Sequence, residues 1–187
     1  MNDTLALLRE EHTNFGKLLD LLDGELALFH KGESPNYELM LDIMFYMTHY
    51  PDMLHHPKEE LAFAKLMRRD ASLRPAVEEL TRQHELLKES GARLVVELED
   101  IVNGSIVSRQ EVEAPGKAYV ENFRSHIDRE EDELFPKAAR LLRDQDWSAI
   151  DEKIERREDP IFGKIAEKRY AAIRDQIARE ASLPGGR

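Results

Sequence analysis

Along residues 5–141 apolar side chains recur at intervals of three and four, the period of helices that bury one stripe and wet the other. Leu5, Leu8, His12, Phe15, Leu19, Leu22, Leu26 and Phe29 form the first seam, with a histidine in a core position. Gly32 breaks it. Ser34-Pro35 reads as an N-cap followed by proline in the first helical position, opening a second helix that runs to about residue 68. This helix is the least regular, because Pro51 and Pro57 each remove an internal hydrogen bond and predict a kink. Leu73, Val77, Leu80, His84, Leu87, Gly91, Leu94, Leu98 and Ile101 mark a third helix, in which Gly91 permits close approach of a neighbour. Asn103-Gly104 stops it, and Ser108-Arg-Gln-Glu111 has the form of a capping box. Tyr119, Phe123, His126, Glu130, Leu134, Ala138 and Leu141 make the fourth seam. The pattern predicts an all-α protein in which residues 1–145 form a four-helix bundle.

Residues 146–187 read as a C-terminal helical extension. Asp146-Trp147 and Asp159-Pro160 are cap-like, which predicts a short helix and then a longer one ending near Ala181. Trp147, Ile150, Ile154, Ile161, Phe162, Ile165, Tyr170 and Ile173 are apolar and available to cover a bundle end or to join two copies as a homodimer. The tail SLPGGR is expected to be disordered.

Charge and composition narrow the class of partner. Lys plus Arg total 27 against 38 Asp plus Glu, a net charge of −11 that argues against a nucleic-acid or anionic-membrane surface. There is no cysteine, which excludes disulfides, thiolate metal sites and cysteine nucleophiles and suits a reducing compartment, so a cytoplasmic location is expected. The N-terminus lacks a basic start and an apolar stretch, and no run of about 18 apolar residues occurs, so neither secretion nor membrane insertion is expected.

The candidate chemistry lies in the seams. His12, His55, His84 and His126 fall one to each helix, and Glu59 and Glu130 follow two of them at a spacing of four, which puts imidazole and carboxylate on one helical face. Imidazole nitrogens and carboxylate oxygens suit iron, zinc, copper or manganese, and a carboxylate can bridge two cations. Buried without a cation, two carboxylates and four imidazoles would be costly. A lone seam histidine is more often a hydrogen-bonded core residue, but one in each of four seams points to a di-metal site with a position open for water, oxo or a diatomic ligand. Glu60 and Glu131 read as solvated charges beside it, and His30 as a partner of a helix C-terminus. Helix 2 leaves two registers open. In one, Leu41, Phe45, Thr48, Asp52, His55, Glu59 and Leu66 face inward; in the other, Phe45, His49, Met53, His56, Glu60, Phe63 and Met67 do. A distortion at Pro57 would let His55 and His56 both reach the site and supply a fifth histidine.

The early histidine of helix 1, HHPKEE at 55–60, the single histidine of helix 3 and HIDREEDELFP at 126–136 together resemble the hemerythrin-like HHE cation-binding family over about residues 5–142. YPDMLHHPKEE at 50–60 and DPIFG at 159–163 are similar to a bacterial subgroup of it. The resemblance implies an up-down-up-down bundle around a non-haem di-iron centre, two iron ions joined by an oxo or hydroxo bridge, with zinc as a substitute. Each His-x-x-x-Glu then provides a terminal imidazole and a bridging carboxylate. The offset of Glu130 from Leu134-Phe135, applied to Phe63-Ala64, selects Glu59 and hence His55. The implied ligands are His12, His55, Glu59, His84, His126 and Glu130, with His56 retained because iron-sensing relatives carry an extra carboxylate ligand at its position. Two departures stand out. Lys88 occupies the place of the second helix 3 histidine of oxygen carriers, and the cysteine-bearing segment of cluster-repair members is missing. The implied function is handling or sensing of iron, dioxygen or nitric oxide. A di-iron oxidase, peroxidase or nitric oxide reductase is the enzymatic alternative, and a metal-free interaction bundle the structural one.

Overall fold

The computed structural model describes residues 3–154, 157–164 and 167–182, and all regular structure among them is helical. Helix α1 spans Asp3–Leu28. The second bundle helix is α2 (Tyr37–Tyr50) and α3 (His56–Arg69), joined without a break by a π turn over Pro51–His55. The third is α4 (Arg74–Val102). The fourth consists of α5 (Arg109–Arg129) and α6 (Phe135–Leu141), again joined by a π turn, over Glu130–Leu134. Helices α7 (Asp144–Asp151) and α8 (Ala171–Ser182) follow. No helix among the described residues is long and apolar enough to cross a membrane.

The seams of α1 and α4 lie where their periodicity put them. Leu5, Leu8, His12, Phe15, Leu19, Leu22, Leu26 and Phe29 are all buried, as are Leu73 through Leu98 of the third seam, while Ile101 is half-buried. Burial of each large apolar side chain contributes roughly 1.5–3 kcal/mol. Gly91 is required by packing, because a Cβ there would lie 2.6 Å from Thr48 Cγ2 and 3.0 Å from the Tyr119 ring. The capping box forms as written, with Ser108 N donating to Glu111 Oε2 and Glu111 N to Ser108 Oγ. Gly104 beyond α4 and Gly32 after α1 take φ values of +89° and +73°, which glycine adopts without steric cost.

Helix 2 departs from both registers. Its N-cap is Asn36, whose Oδ1 accepts the Leu39 N–H, so the helix opens two residues after Ser34. The distortion is the π turn that closes directly before Pro57, which has no N–H to continue the ladder, and Pro136 stands in the same place after the second π turn; as expected of a distortion there, His55 and His56 are both buried. The π turn holds one residue more than an α turn and rotates the two halves relative to each other. Ile43 and Met47 are therefore buried before it, Leu54 and His55 within it, and His56, Glu59, Phe63 and Leu66 after it, while Met53, His49 and Glu60 are exposed.

The extension also differs from expectation. Helix α7 begins at Asp144, and Asp146 acts from its first turn by accepting the Arg143 N–H at 3.0 Å. Asp159 starts no helix. Its Oδ1 accepts the N–H groups of Ile161 and Phe162, and its Oδ2 accepts the Tyr46 hydroxyl at 2.7 Å, which turns DPIFG back onto the bundle. Trp147 and Ile150 pack with Leu5, Phe63 and Leu134, while Ile161, Tyr170 and Ile173 pack with Phe15, Tyr46 and Phe123. Trp147, Ile150, Ile161, Tyr170 and Ile173 of the extension are thus buried against the chain's own bundle, while Ile154 and Phe162 are half-buried. Ile165 and residues 183–187 lie outside the described residues. The two apolar clusters flank a polar layer, and that layer holds the histidines.

Candidate metal centre

His12, His55, Glu59 and Glu130 offer four ligand atoms within 4.8 Å of one another, and so do His56, Glu59, His84 and His126. Glu59 belongs to both groups. Its Oε1 lies 3.1 Å from His55 Nε2 and 3.4 Å from His12 Nε2, and its Oε2 lies 3.5 Å from His84 Nε2. Glu130 spans the same gap, with Oε2 at 3.3 Å from both His12 and His126 Nε2 and Oε1 at 3.6 Å from His84 Nε2. All seven side chains are buried, the two glutamates at 0 % exposure. The π turn at Pro51–His55 ends at the point where two consecutive residues, His55 and His56, both face inward; His56 stacks on His84 with centroids 4.0 Å apart. Phe135 stacks on His12, and Phe15 and Phe123 meet His55 and His126 at their edges, so the surroundings are dry and aromatic.

Each inward imidazole faces an oxygen from its outer side, and in four of the five that oxygen is within hydrogen-bond reach. The Nδ1 atoms of His12, His55 and His56 lie 3.0, 2.8 and 3.1 Å from Glu131 Oε1, Glu11 Oε2 and Asp52 Oδ1. That of His126 lies 3.1 Å from Gln83 Oε1, and that of His84 lies 3.6 Å from Glu60 Oε1. An oxygen at Nδ1 holds a proton there and, once the imidazole is neutral, leaves the Nε2 lone pair pointing into the layer, the arrangement that metal-bound histidines adopt. Glu131, read from the sequence as a solvated bystander, is therefore the hydrogen-bond partner of His12, whereas Glu60 stays a half-exposed charge beside His84. Glu11, Asp52 and Gln83 escaped sequence reasoning. Asp52 stands four residues before His56 and could have been found by that spacing; Glu11 and Gln83 show only as polar neighbours of His12 and His84.

Charge in the layer is compensated by protons when no cation is present. Burial pushes Glu59 upward, but His55, His12 and His84 outweigh it and hold the carboxyl well below the usual range. Burial likewise pulls His12 and His84 down, yet the glutamates around each raise both to about 11. His55 is raised against its burial by Glu59 and Glu11. His56 is lowered by burial and by His84, and His126 is lowered by burial to about 4.

Whether these residues fit metal ions can be judged from atoms that lack partners. Both carboxylate oxygens of Glu59 and of Glu130 and the Nε2 atoms of His56, His84 and His126 are buried without a hydrogen-bond partner. Such atoms ordinarily cost about 1–3 kcal/mol each. His12 and His55 face one another with Nε2 atoms 3.0 Å apart, the spacing of two nitrogens at right angles on one cation about 2.1 Å from each. The donor set fits a pair of cations.

The sequence model of the hemerythrin HHE cation binding domain matches residues 3–138. The chain belongs to that family. Within the hemerythrin HHE domain thus defined fall all seven inward residues and the five outer residues, and the match stops short of α7. A comparison with curated proteins gives no match.

Proposed function

We propose that this hemerythrin HHE domain is a non-haem di-iron protein that binds iron together with dioxygen or nitric oxide. The observation that carries the reading is the pair of buried ligand groups sharing Glu59, which supplies two adjacent cation positions in place of one. His12 and His55 would hold one ion and His56, His84 and His126 the other, with Glu59 and Glu130 facing both. Bound iron would supply a change of oxidation state and an open position for a diatomic molecule. The chain's own contribution is orientation and exclusion. The outer oxygens fix four imidazoles with Nε2 inward, the fifth, His84, is held by stacking on His56, and Phe15, Phe123 and Phe135 keep bulk water away. His56 bears on the departure at Lys88, since a fifth imidazole enters from helix 2 while Lys88 is exposed. The unpartnered inward atoms speak against a metal-free bundle.

Anaerobic reconstitution with ferrous iron, followed by metal analysis and absorption spectra under dioxygen and under nitric oxide, tests this. About two iron atoms per chain are expected, as a bridged pair requires, with a spectral change on adding either gas. One ion or none would refute the di-iron reading, and two ions without a response to either gas would refute the diatomic ligand. Zinc carried over from expression must be removed first, because zinc exceeds ferrous iron in intrinsic affinity.

A further inference from the structure

The five outer residues are unequal, and one differs in kind. Gln83 is a neutral amide, Glu60 is about half exposed and 3.6 Å away, and the side chains of Asp52 and Glu131 are 18 % and 30 % exposed. Glu11 is 3 % exposed and makes the shortest of the five contacts, 2.8 Å to His55 Nδ1. Its other oxygen accepts the Tyr50 hydroxyl at 2.9 Å and lies 3.5 Å from Lys58 Nζ. Tyr50 in turn stacks on Tyr46, which Asp159 anchors. A buried carboxylate held on both oxygens cannot turn away from its imidazole, and a charge-assisted bond to a fully buried imidazole is strong.

We infer that Glu11 is the positioning residue of the metal position formed by His12 and His55, locking His55 as an inward Nε2 donor, and that its charge sets the affinity of that position and not of the one formed by His56, His84 and His126. This rests on the metal-binding reading above. Glu11 touches no inward atom of the second group. Its action runs through His55 alone.

Cobalt(II), whose absorption reports the ligands of each ion, is the probe. Wild-type protein and Glu11→Gln are titrated with it against a competing chelator. Glutamine keeps the length of the side chain and removes the charge, and a cavity of about 510 Å³ beside Glu11, Tyr50 and Lys58 gives it room. The expected result is two ions in both proteins, with one bound about 10–100-fold more weakly in Glu11→Gln and the other unchanged. Glu11→Asp should restore part of the loss. Tyr50→Phe, which removes one brace and keeps the carboxylate, should weaken the same ion by a smaller factor, and it carries the test should Glu11→Gln fold poorly. If both ions weaken equally, or neither does, the inference is overturned while the metal-binding reading stands. Wild-type protein that takes up no cobalt overturns both.

Discussion

Removing the metal should lower the melting temperature by an amount that depends on pH in a definite direction. With free metal about a hundredfold above its dissociation constant, each position stabilises the fold by about 2.7 kcal/mol, roughly 5 kcal/mol for two. In a chain of this length 1 kcal/mol moves the melting temperature by about 2–4 °C, so loading should raise it by roughly 10–20 °C. His12 and His84, raised to about 11, carry protons in the metal-free fold near neutrality, while His55 Nε2, 3.0 Å from His12 Nε2, accepts the hydrogen the two share. The stability those protons confer is complete below the unfolded histidine value of about 6.5 and is lost as pH rises toward about 11. A metal ion needs the same imidazoles neutral. Loading at pH 7 must therefore displace about two protons, from His12 and His84, while His56 and His126, both lowered, release none. The gap between loaded and metal-free melting should widen from pH 6 to pH 9. Differential scanning calorimetry measures the gap, and titration calorimetry in buffers of different ionisation enthalpy counts the protons. A gap that narrows as pH rises, or proton release near zero, would refute the reasoning.

Three further outcomes follow from individual contacts. His55→Ala and Glu59→Ala should each lose metal, whereas Glu60→Ala should still bind two ions, because that side chain meets only the outer nitrogen of His84; metal analysis after gel filtration checks this. Gly91→Ala should destabilise by about 1–3 kcal/mol in chemical denaturation, since its Cβ would press on Thr48 and Tyr119. Asp159→Ala should cost about 1–3 kcal/mol by leaving the buried Tyr46 hydroxyl unpaired, and limited proteolysis of the extension should become faster.

The bundle was legible because its seams are regular. In α1 and α4 a strict spacing of three and four puts every seam position through Leu26 and Leu98 into the core, and a histidine amid leucines is conspicuous. Helix 2 was not legible in the same way. A π turn has no periodic signature, so neither register could account for Leu54, His55 and His56 all being buried. The outer partners were hidden for a different reason. Seam patterns report which residues face the core and say nothing of side chains that reach in from its flank, so Glu11 beside His12 carries no signal of its own and Glu131 beside Glu130 reads as a solvated charge. DPIFG was misread because Asp-Pro serves a helix start and a tight turn equally well; the Tyr46 hydroxyl that decides between them lies more than a hundred residues away in the chain.

The two π turns bear on how this sequence can change. Each is one residue longer than the helix around it needs, and each adjoins a His-x-x-x-Glu pair. Deleting one residue from either would restore an unbroken α-helix and improve its backbone hydrogen bonding, yet would swing everything beyond the deletion by about 100°. Past Pro51–His55 that includes Glu59 and Phe63; past Glu130–Leu134 it includes Phe135 and Ala138. A more regular chain would thus be one whose halves no longer share a centre, and length in these two segments should resist drift far more than the loops at residues 32–36 or 103–108, where an added residue moves nothing inward.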